Sequence, residues 1–251
     1  MTASYDTIGE GYAKRRQADP RLAALINAAV GDVNSVLNVG AGAGSYEPTG
    51  NRVVAVEPSA VMIAQRSPDA APAVRALAEA LPFSDGAFDA VLAILTIHHW
   101  RDPRRGLAEC ARVARRKIVL FTWDPSSSGF WLEHDYFPEL LALDRSIFPQ
   151  LAMIASVLGT VESRAVPIPG DCIDGFLGSY WRRPEAYLDP HVRSGISSFS
   201  RIGDVEPGLA KLRADVASGA WRQRYSALVD LAELDIGYRL LVADVSRDQI
   251  P

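Results

Sequence analysis

Residues 36–45 read VLNVGAGAGS, and this stretch decides the fold. A short apolar run, 35–39, breaks abruptly into three alternating glycines, Gly40, Gly42 and Gly44. A glycine-rich turn directly after a strand lets the backbone approach a ligand closely, because no Cβ intervenes. Such turns occur in many α/β proteins, so the motif by itself is only a weak indication of a binding site.

Apolar runs and helical patterns alternate on both sides of this turn. Asp19 and Pro20 predict the start of a helix that ends at Gly31. Ser59 predicts the start of another, directly after the second strand. Strands and helices that alternate in this way form a parallel sheet with right-handed crossovers. The strands predicted here are 35–39, 53–56, 73–77, 88–97 and 118–121, with a further helix carrying Leu107, Cys110, Ala111 and Ala114.

The pattern changes after Trp123, where prolines separate several short helical stretches. Two more strands are predicted, at 161–168 and 238–243, and we expect them to pair in antiparallel fashion. The whole pattern predicts an α/β fold built on a seven-stranded, mostly parallel sheet. In the predicted domain organisation, residues 1–169 and 233–251 form the sheet domain, and residues 170–232 form an inserted helical cap.

The composition is that of an ordinary globular protein and excludes several classes. The 251 residues are 48% hydrophobic and carry a formal net charge of −4, so the overall field repels nucleic-acid phosphates. The two cysteines, Cys110 and Cys172, indicate reduced thiols rather than a disulfide framework or a metal site. The N-terminal residues do not resemble a signal peptide, and no apolar run is long enough to cross a bilayer. We therefore expect a cytoplasmic protein, monomeric or homodimeric, without a nucleic-acid or membrane partner.

Glu57 follows the second strand, seventeen residues after Gly40. A carboxylate in this place can accept hydrogen bonds from the two vicinal hydroxyls of a ribose. The alternative is a solvated charge at the end of a strand. A dehydrogenase is excluded, because the nicotinamide fingerprint GxGxxG needs a glycine where this chain has Ser45.

With these residues the chain resembles the class I, S-adenosylmethionine-dependent methyltransferases, in the branch of ubiquinone/menaquinone methyltransferases and small-molecule O-methyltransferases. Four segments carry the resemblance in order, at 36–45, 53–64, 78–90 and 94–114. It implies a Rossmann-like domain, S-adenosylmethionine as cofactor and S-adenosylhomocysteine as product. The acceptor would be a small molecule methylated on oxygen, carbon or nitrogen. The alternative is a non-catalytic cofactor-binding module, or an enzyme that uses this fold for another reaction such as cyclisation.

The resemblance also implies a cofactor site. The glycine turn would pass beneath the methionine part and ribose, and Glu57 would hold the ribose hydroxyls. Met62 would pack on the adenine face; the alternative is that it only packs in the hydrophobic core. An arginine of the N-terminal lid, Arg16 or Arg15, would clamp the cofactor carboxylate. The complete predicted set is Tyr12, Arg16, Gly40, Gly42, Glu57, Pro58, Met62, Ala78, Glu79 and Thr96.

The chain departs from the family pattern at three places. Asn38 replaces an acidic residue that often precedes the first glycine, and Leu77 stands where an aspartate commonly contacts the adenine amino group. The stretch from Gly44 to Val53 is short and carries a proline, so we expect a turn in place of the usual helix. These departures weaken single contacts with the cofactor but leave the glycine turn and the ribose carboxylate in place.

Candidate catalytic residues follow the fourth and fifth strands, at the sheet edge where ligands of open α/β sheets bind. His98 and His99 would serve as general base or position the acceptor, or else pack. Asp124 would orient one of them, or else form a turn before Pro125. Aromatic residues of the C-terminal half, with one arginine, would build the acceptor pocket or anchor the cap. They are Trp123, Trp131, His134, Tyr136, Tyr180, Trp181 and Arg182.

Overall fold

One sheet of seven strands organises the protein, which the computed structural model describes from residue 16 to residue 245. Its strands are β1 (Ser35–Val39), β2 (Arg52–Val56), β3 (Ala73–Val74), β4 (Phe88–Ile94), β5 (Ala114–Trp123), β6 (Val161–Ala165) and β9 (Tyr238–Asp244). They lie in the order β3-β2-β1-β4-β5-β9-β6. The first five run parallel, and β9 is antiparallel to both of its neighbours. The predicted fold class, including the antiparallel pair at the end of the chain, is confirmed.

Alternate side chains of the central strands enter two separate cores. On β4, Ala90 and Leu92 belong to one buried cluster, whereas Val91 and Ala93 belong to the other. Because successive side chains of a strand point to opposite faces, a strand covered on both sides must be apolar throughout. The helices in this half of the chain are α1 (Pro20–Val30), α2 (Ala60–Ala64) and α3 (Pro103–Val113).

The start and the end of α1 follow from its sequence. The Asp19 carboxylate accepts a hydrogen bond from the Arg21 N–H at 3.0 Å, and Pro20 occupies the first helical position. Leu22, Ile26 and Val30 are buried on one face. Gly31 ends the helix with a φ of 67°, a conformation that glycine adopts without steric cost.

Several elements are shorter than predicted. The third strand is reduced to Ala73–Val74, and β4 ends at Ile94 because Leu95 takes a left-handed φ of 47°. The predicted strand 161–168 is divided between β6 and the short β7 (Ile168–Pro169). Residues 40–51 hold turns and bends in place of a helix, as the short proline-containing sequence predicts.

The C-terminal half adds helices around the open end of the sheet. Strand β7 pairs with β8 (Glu233–Leu234) in a separate ribbon, and residues 170–232 between them are helical or irregular. Their aromatic core continues into two helices that precede β6, so the predicted division into two domains stays a prediction. The helices are α4 (Trp131–Asp135), α5 (Pro138–Ile147), α6 (Leu151–Leu158), α7 (Pro190–Arg193), α8 (Glu206–Ser218), α9 (Ala220–Arg224) and α10 (Ser226–Val229).

One stretch of the described chain, Pro138–Leu158, is long and apolar enough to be a candidate membrane span by length and composition. It consists of α5 and α6, which Phe148 and the following proline separate. Only 28% of its most apolar window is buried.

Candidate active site

A cleft lies at the carboxyl ends of β1, β2 and β4, with about 1210 Å³ of empty space that includes its open mouth. This is the edge at which open α/β sheets bind ligands. Tyr12 lies outside the described residues. The other nine predicted cofactor-binding residues all line the cleft, namely Arg16, Gly40, Gly42, Glu57, Pro58, Met62, Ala78, Glu79 and Thr96. Their role in binding stays a prediction.

The glycine turn holds the floor of the cleft against the neighbouring strands. The N–H groups of Gly40 and Ala41 both donate to the Val56 carbonyl, at 2.8 and 3.0 Å. Gly40 has a φ of 69°, and the Thr96 side chain packs directly against its Cα. A Cβ at position 40 would overlap Thr96 Oγ1 and lie 2.8 Å from Thr96 Cβ. The turn therefore needs glycine here for two reasons, its backbone conformation and the closeness of Thr96.

Glu57 lies on the wall of the cleft, where it is buried to 5% exposure. Its Oε2 accepts from the Gly42 N–H at 2.9 Å and its Oε1 from the Ser59 N–H at 2.8 Å. This is not the solvated strand-end charge of the alternative interpretation. These two hydrogen bonds hold the side chain in one orientation on the cleft wall, as a carboxylate that binds ribose hydroxyls requires.

The far end of the cleft has apolar walls. Met62 is buried to 2% exposure, and its Cε lies 3.2 Å from the place where a Cβ on Gly42 would stand. Leu77 is 42% exposed at the rim. The Glu79 carboxylate accepts from the N–H groups of Arg101 and Asp102, at 2.7 and 3.2 Å. Because this side chain is engaged in the loop, the backbone of Ala78 and Glu79 is what the site offers to an adenine edge.

Arg16 joins the cleft to the helical half of the protein. Its guanidinium donates to both oxygens of Asp174, at 2.7 and 3.2 Å. Asp174 is fully buried and also accepts from the Tyr46 hydroxyl at 2.9 Å. Neither Tyr46 nor Asp174 is predictable from sequence, since a single aspartate and a single tyrosine form no motif. The network fixes Arg16 at the boundary between the cleft and a second cavity.

The second cavity, with about 570 Å³ of empty space, adjoins the cleft. Both are lined by Arg16, Leu95 and His99. Leu95, with its left-handed φ of 47°, places a side chain in this shared wall. Most of the remaining lining is aromatic or aliphatic and comes from Trp123, Phe130, Phe148, Phe176, Leu177, Ile196, Ile236 and Tyr238. A space with this lining beside the cleft, open at its mouth, suits a small organic ligand.

The two histidines stand at the junction of the cavities. Their ring centroids are 3.9 Å apart, and His98 stacks on Phe148 at 4.0 Å. Burial lowers the pKa of His99 to about 3 and that of His98 well below its usual value. Both are therefore neutral at pH 7 and can accept a hydrogen bond, but such a low pKa makes a weak general base.

Asp124 is placed away from both histidines. Its Oδ1 accepts from the N–H and the hydroxyl of Ser126, at 2.9 and 2.7 Å, and its Oδ2 lies 4.0 Å from Arg239 Nε. The predicted role in orienting a histidine is not supported by these contacts. Asp124 forms the turn of the alternative interpretation instead.

Of the seven predicted acceptor-binding residues, only Trp123 lines the second cavity. Trp131 and Trp181 bury their rings in the helical half, and their N–H groups donate to the carbonyls of Trp181 and Ile168. The expectation that these aromatic residues face the acceptor is corrected, because buried indole groups satisfied by the backbone anchor the cap. The other four also lie outside the cavity: His134 is exposed, Tyr136 bonds Asp215, Tyr180 packs beneath Arg183, and Arg182 bonds the Leu231 carbonyl.

Two carboxyl groups that the sequence did not single out line the second cavity, Glu133 and Asp144. They are 2% and 5% exposed. Glu133 Oε2 accepts from the Phe130 N–H at 3.1 Å, and Asp144 Oδ1 accepts from the Ser198 hydroxyl at 2.9 Å. Burial raises the pKa of Glu133 to about 8 and that of Asp144 to about 6, and the Asp144 charge adds to the shift at Glu133. Nothing in the sequence distinguishes either residue from an ordinary surface charge on a short helix.

The raised pKa of Glu133 makes a prediction for stability. Between its unfolded value of 4.5 and about 8, the folded state binds more protons, so stability falls as the pH rises. Glu133→Gln removes the ionisable group and should raise the melting temperature at pH 8.5 by about 5 °C or more, with little change at pH 5. Thermal unfolding of both proteins at the two pH values measures this. The exposed Glu139→Gln on α5 is the control, and equal shifts at both pH values would contradict the prediction.

Comparisons with known proteins agree with this fold. The family model of the methyltransferase domain matches residues 37–121. A solved structure of a proposed methyltransferase from an antibiotic biosynthesis pathway of Anabaena variabilis ATCC 29413 is 36% identical, with a TM-score of 0.83 over 91% of this chain and 98% of that one. No match was found among curated proteins.

Two more distant structures share the fold over most of the chain. The 4+2 cyclase SpnF is 16% identical, with a TM-score of 0.55 over 96% of this chain and 93% of its own. A possible histamine N-methyltransferase of Thermotoga maritima is 13% identical, with a TM-score of 0.55 over 96% of this chain and 98% of its own.

The fold, the matched domain and the 36% identical relative define the class of protein. The chain belongs to the class I, S-adenosylmethionine-dependent methyltransferases.

Proposed function

We propose that the protein transfers the methyl group of S-adenosylmethionine to a small organic acceptor held in the second cavity. The observation that carries the proposal is the meeting of two different cavities at one wall, formed by Arg16, Leu95 and His99. One has the glycine turn and the fixed carboxylate that suit a nucleoside. The other is lined mostly by aromatic and aliphatic side chains, which suit a compact organic acceptor.

When bound, the cofactor supplies an electrophilic methyl group on a sulfonium, and the protein has to bind, orient and exclude water. Glu57 and the glycine turn would hold the nucleoside, and the backbone at Ala78 and Glu79 would meet the adenine edge. Thr96 and Arg16 would lie near the amino-acid end. His99, neutral at the junction, would accept a hydrogen bond from the acceptor and direct its nucleophilic atom toward the cleft.

Two measurements test the proposal. Calorimetry with S-adenosylhomocysteine should show binding to the purified protein, and incubation with methyl-labelled S-adenosylmethionine and a small-molecule extract should transfer label to a low-molecular-weight product. The same incubation with an extract freed of small molecules is the control. Absence of any heat with either cofactor form would overturn the assignment of the cleft.

A further prediction concerns His99. His99→Ala should lower the rate of label transfer about tenfold, because an acceptor-positioning hydrogen bond is lost. The affinity for S-adenosylhomocysteine should change little. The pH dependence of the rate should be the same in the variant and the wild type between pH 6 and 8, since His99 with a pKa of about 3 does not titrate there. An unchanged rate in the variant would leave the histidine with a packing role only.

One observation favours a second candidate. His99 at the junction is a weak base, and the fold is shared with a 4+2 cyclase. A reaction other than methyl transfer, such as cyclisation, or cofactor binding without turnover, would then use the same two cavities. Tight binding of S-adenosylhomocysteine with no label transfer to any extract would favour this candidate.

A further inference from the structure

The acceptor cavity has an unusual combination of walls. Five aromatic side chains surround it, and two carboxyl groups on α4 and α5 are buried within it. A carboxyl group that is only 2% or 5% exposed loses most of its hydration, and this cost is avoided by protonation or offset by a partner that supplies positive charge or hydrogen bonds. The aromatic residues are Trp123, Phe130, Phe148, Phe176 and Tyr238.

Among the described residues, only one of the two oxygens in each carboxyl group has a hydrogen-bond donor. Glu133 Oε2 and Asp144 Oδ1 have the partners described above, whereas Oε1 and Oδ2 receive no hydrogen bond from any residue between 16 and 245. In the same cavity, His98 Nδ1 is shut off from solvent and has no hydrogen-bond partner within the described chain. Buried polar atoms normally find partners, so this buried nitrogen without one, beside two carboxyl groups that have one hydrogen bond each, points to a ligand in the cavity.

We propose that the acceptor carries an amino group, bound as an ammonium ion between Glu133 and Asp144 with aromatic rings around it. Aromatic faces attract cations, and a carboxylate beside them is the usual counterion. The inference rests on the proposed function, since it describes the acceptor of the same site. The arylalkylamines are the class that fits best, because their ring matches the apolar wall while the ammonium matches the two acids.

The positive charges nearby do not supply this partner. Arg16 gives two hydrogen bonds to Asp174, and Arg201 is exposed to solvent. Arg145 and Arg201 each lower the pKa of a neighbouring acid, but burial outweighs them. The titratable and charged groups around the pair are Arg16, His98, His99, Arg145, Tyr187, Arg201 and Tyr238.

The pH dependence of amine binding has a definite sign. Asp144 and Glu133 lose their protons at about pH 6 and 8, whereas an alkylamine stays protonated until well above this range. The affinity for an ammonium ion should therefore rise between pH 6 and 8.5, with a proton released on binding. The affinity for an uncharged ligand of the same shape should not rise.

The test is calorimetry on the protein saturated with S-adenosylhomocysteine. The probes are tyramine, its uncharged isostere para-propylphenol, and the anionic para-hydroxyphenylpropionate. We expect tyramine to bind at least about tenfold more tightly than the other two, and Glu133→Gln and Asp144→Asn each to weaken it about tenfold or more. Both variants keep an oxygen for the Phe130 N–H and the Ser198 hydroxyl, so the fold is preserved. Glu139→Gln, exposed on α5, should bind tyramine like the wild type.

Tighter binding of the neutral or the anionic probe, no binding of tyramine, or unchanged affinity in both acid variants would overturn the inference. In each of these outcomes S-adenosylhomocysteine still binds, and the proposed function stands without an amine acceptor. Failure of S-adenosylhomocysteine itself to bind removes the proposed function, and the inference with it.

Discussion

Glu57→Gln should bind S-adenosylhomocysteine about 100-fold more weakly than the wild type, although the side chain keeps its size. Both carboxylate oxygens accept from backbone donors, Gly42 N–H and Ser59 N–H. Glutamine has no charge, and its amide nitrogen cannot accept a hydrogen bond. In the variant this nitrogen therefore faces one of the two backbone donors. Hydrogen bonds to charged groups contribute about 1.5–3 kcal/mol each, and two toward the ribose would be affected. Calorimetric titration measures the change.

The matched control for this prediction is Glu185→Gln, an exposed glutamate on the helical half of the protein. It should bind S-adenosylhomocysteine like the wild type. Circular dichroism of Glu57→Gln checks that the loop change does not unfold the sheet. Wild-type affinity in a folded Glu57→Gln protein would show that this carboxylate only supports the glycine turn.

The second large effect is expected at the end of β1. Gly40→Ala forces a Cβ into the Thr96 side chain and keeps a φ of 69° that alanine disfavours. We expect a loss of about 3–5 kcal/mol in the free energy of unfolding, a melting temperature lower by about 10 °C, and no detectable cofactor binding. Thermal unfolding and calorimetry measure the two effects.

Gly50→Ala separates the backbone cost from the steric cost. Gly50 also has a positive φ, of 88°, but a Cβ there meets nothing within 4 Å. It should lose only about 1 kcal/mol. The double variant Gly40→Ala with Thr96→Gly removes the overlapping side chain and should recover part of the lost stability. If Gly40→Ala were no less stable than Gly50→Ala, the contact with Thr96 would not be what limits this position.

The elements that were predictable from sequence are those with a strong local signal. The capped helix α1 and the apolar strands β1, β2 and β5 carry their own start, periodicity and end, so local physical chemistry specifies them. Strand β3 carries no such local signal, because its two residues are defined by pairing with β2 rather than by their own pattern. The end of β4 was also missed, since Leu95 gives no sequence sign of a left-handed backbone.

The two cavities also differ in how far they can be predicted from sequence. The cofactor cleft is built from consecutive residues after strands β1, β2 and β4, which a linear motif can describe. The second cavity combines residues that follow β4, single residues of β5, α4 and α5, and eight residues of the segment beyond residue 170. Aromatic residues such as Trp131 and Trp181 looked functional by type, but type does not tell a cavity wall from a packed core.

Leu95 shows how selection for stability and selection for selectivity can oppose each other. Glycine or asparagine in its place would relieve the left-handed backbone and gain about 1 kcal/mol, so an engineer ranking thermostable variants would choose either one. Under the proposed function, the glycine variant would also remove the side chain that stands between the donor cleft and the acceptor cavity. The more stable variant would then be the less selective enzyme, because water could reach the reactive methyl group and bulkier molecules could bind.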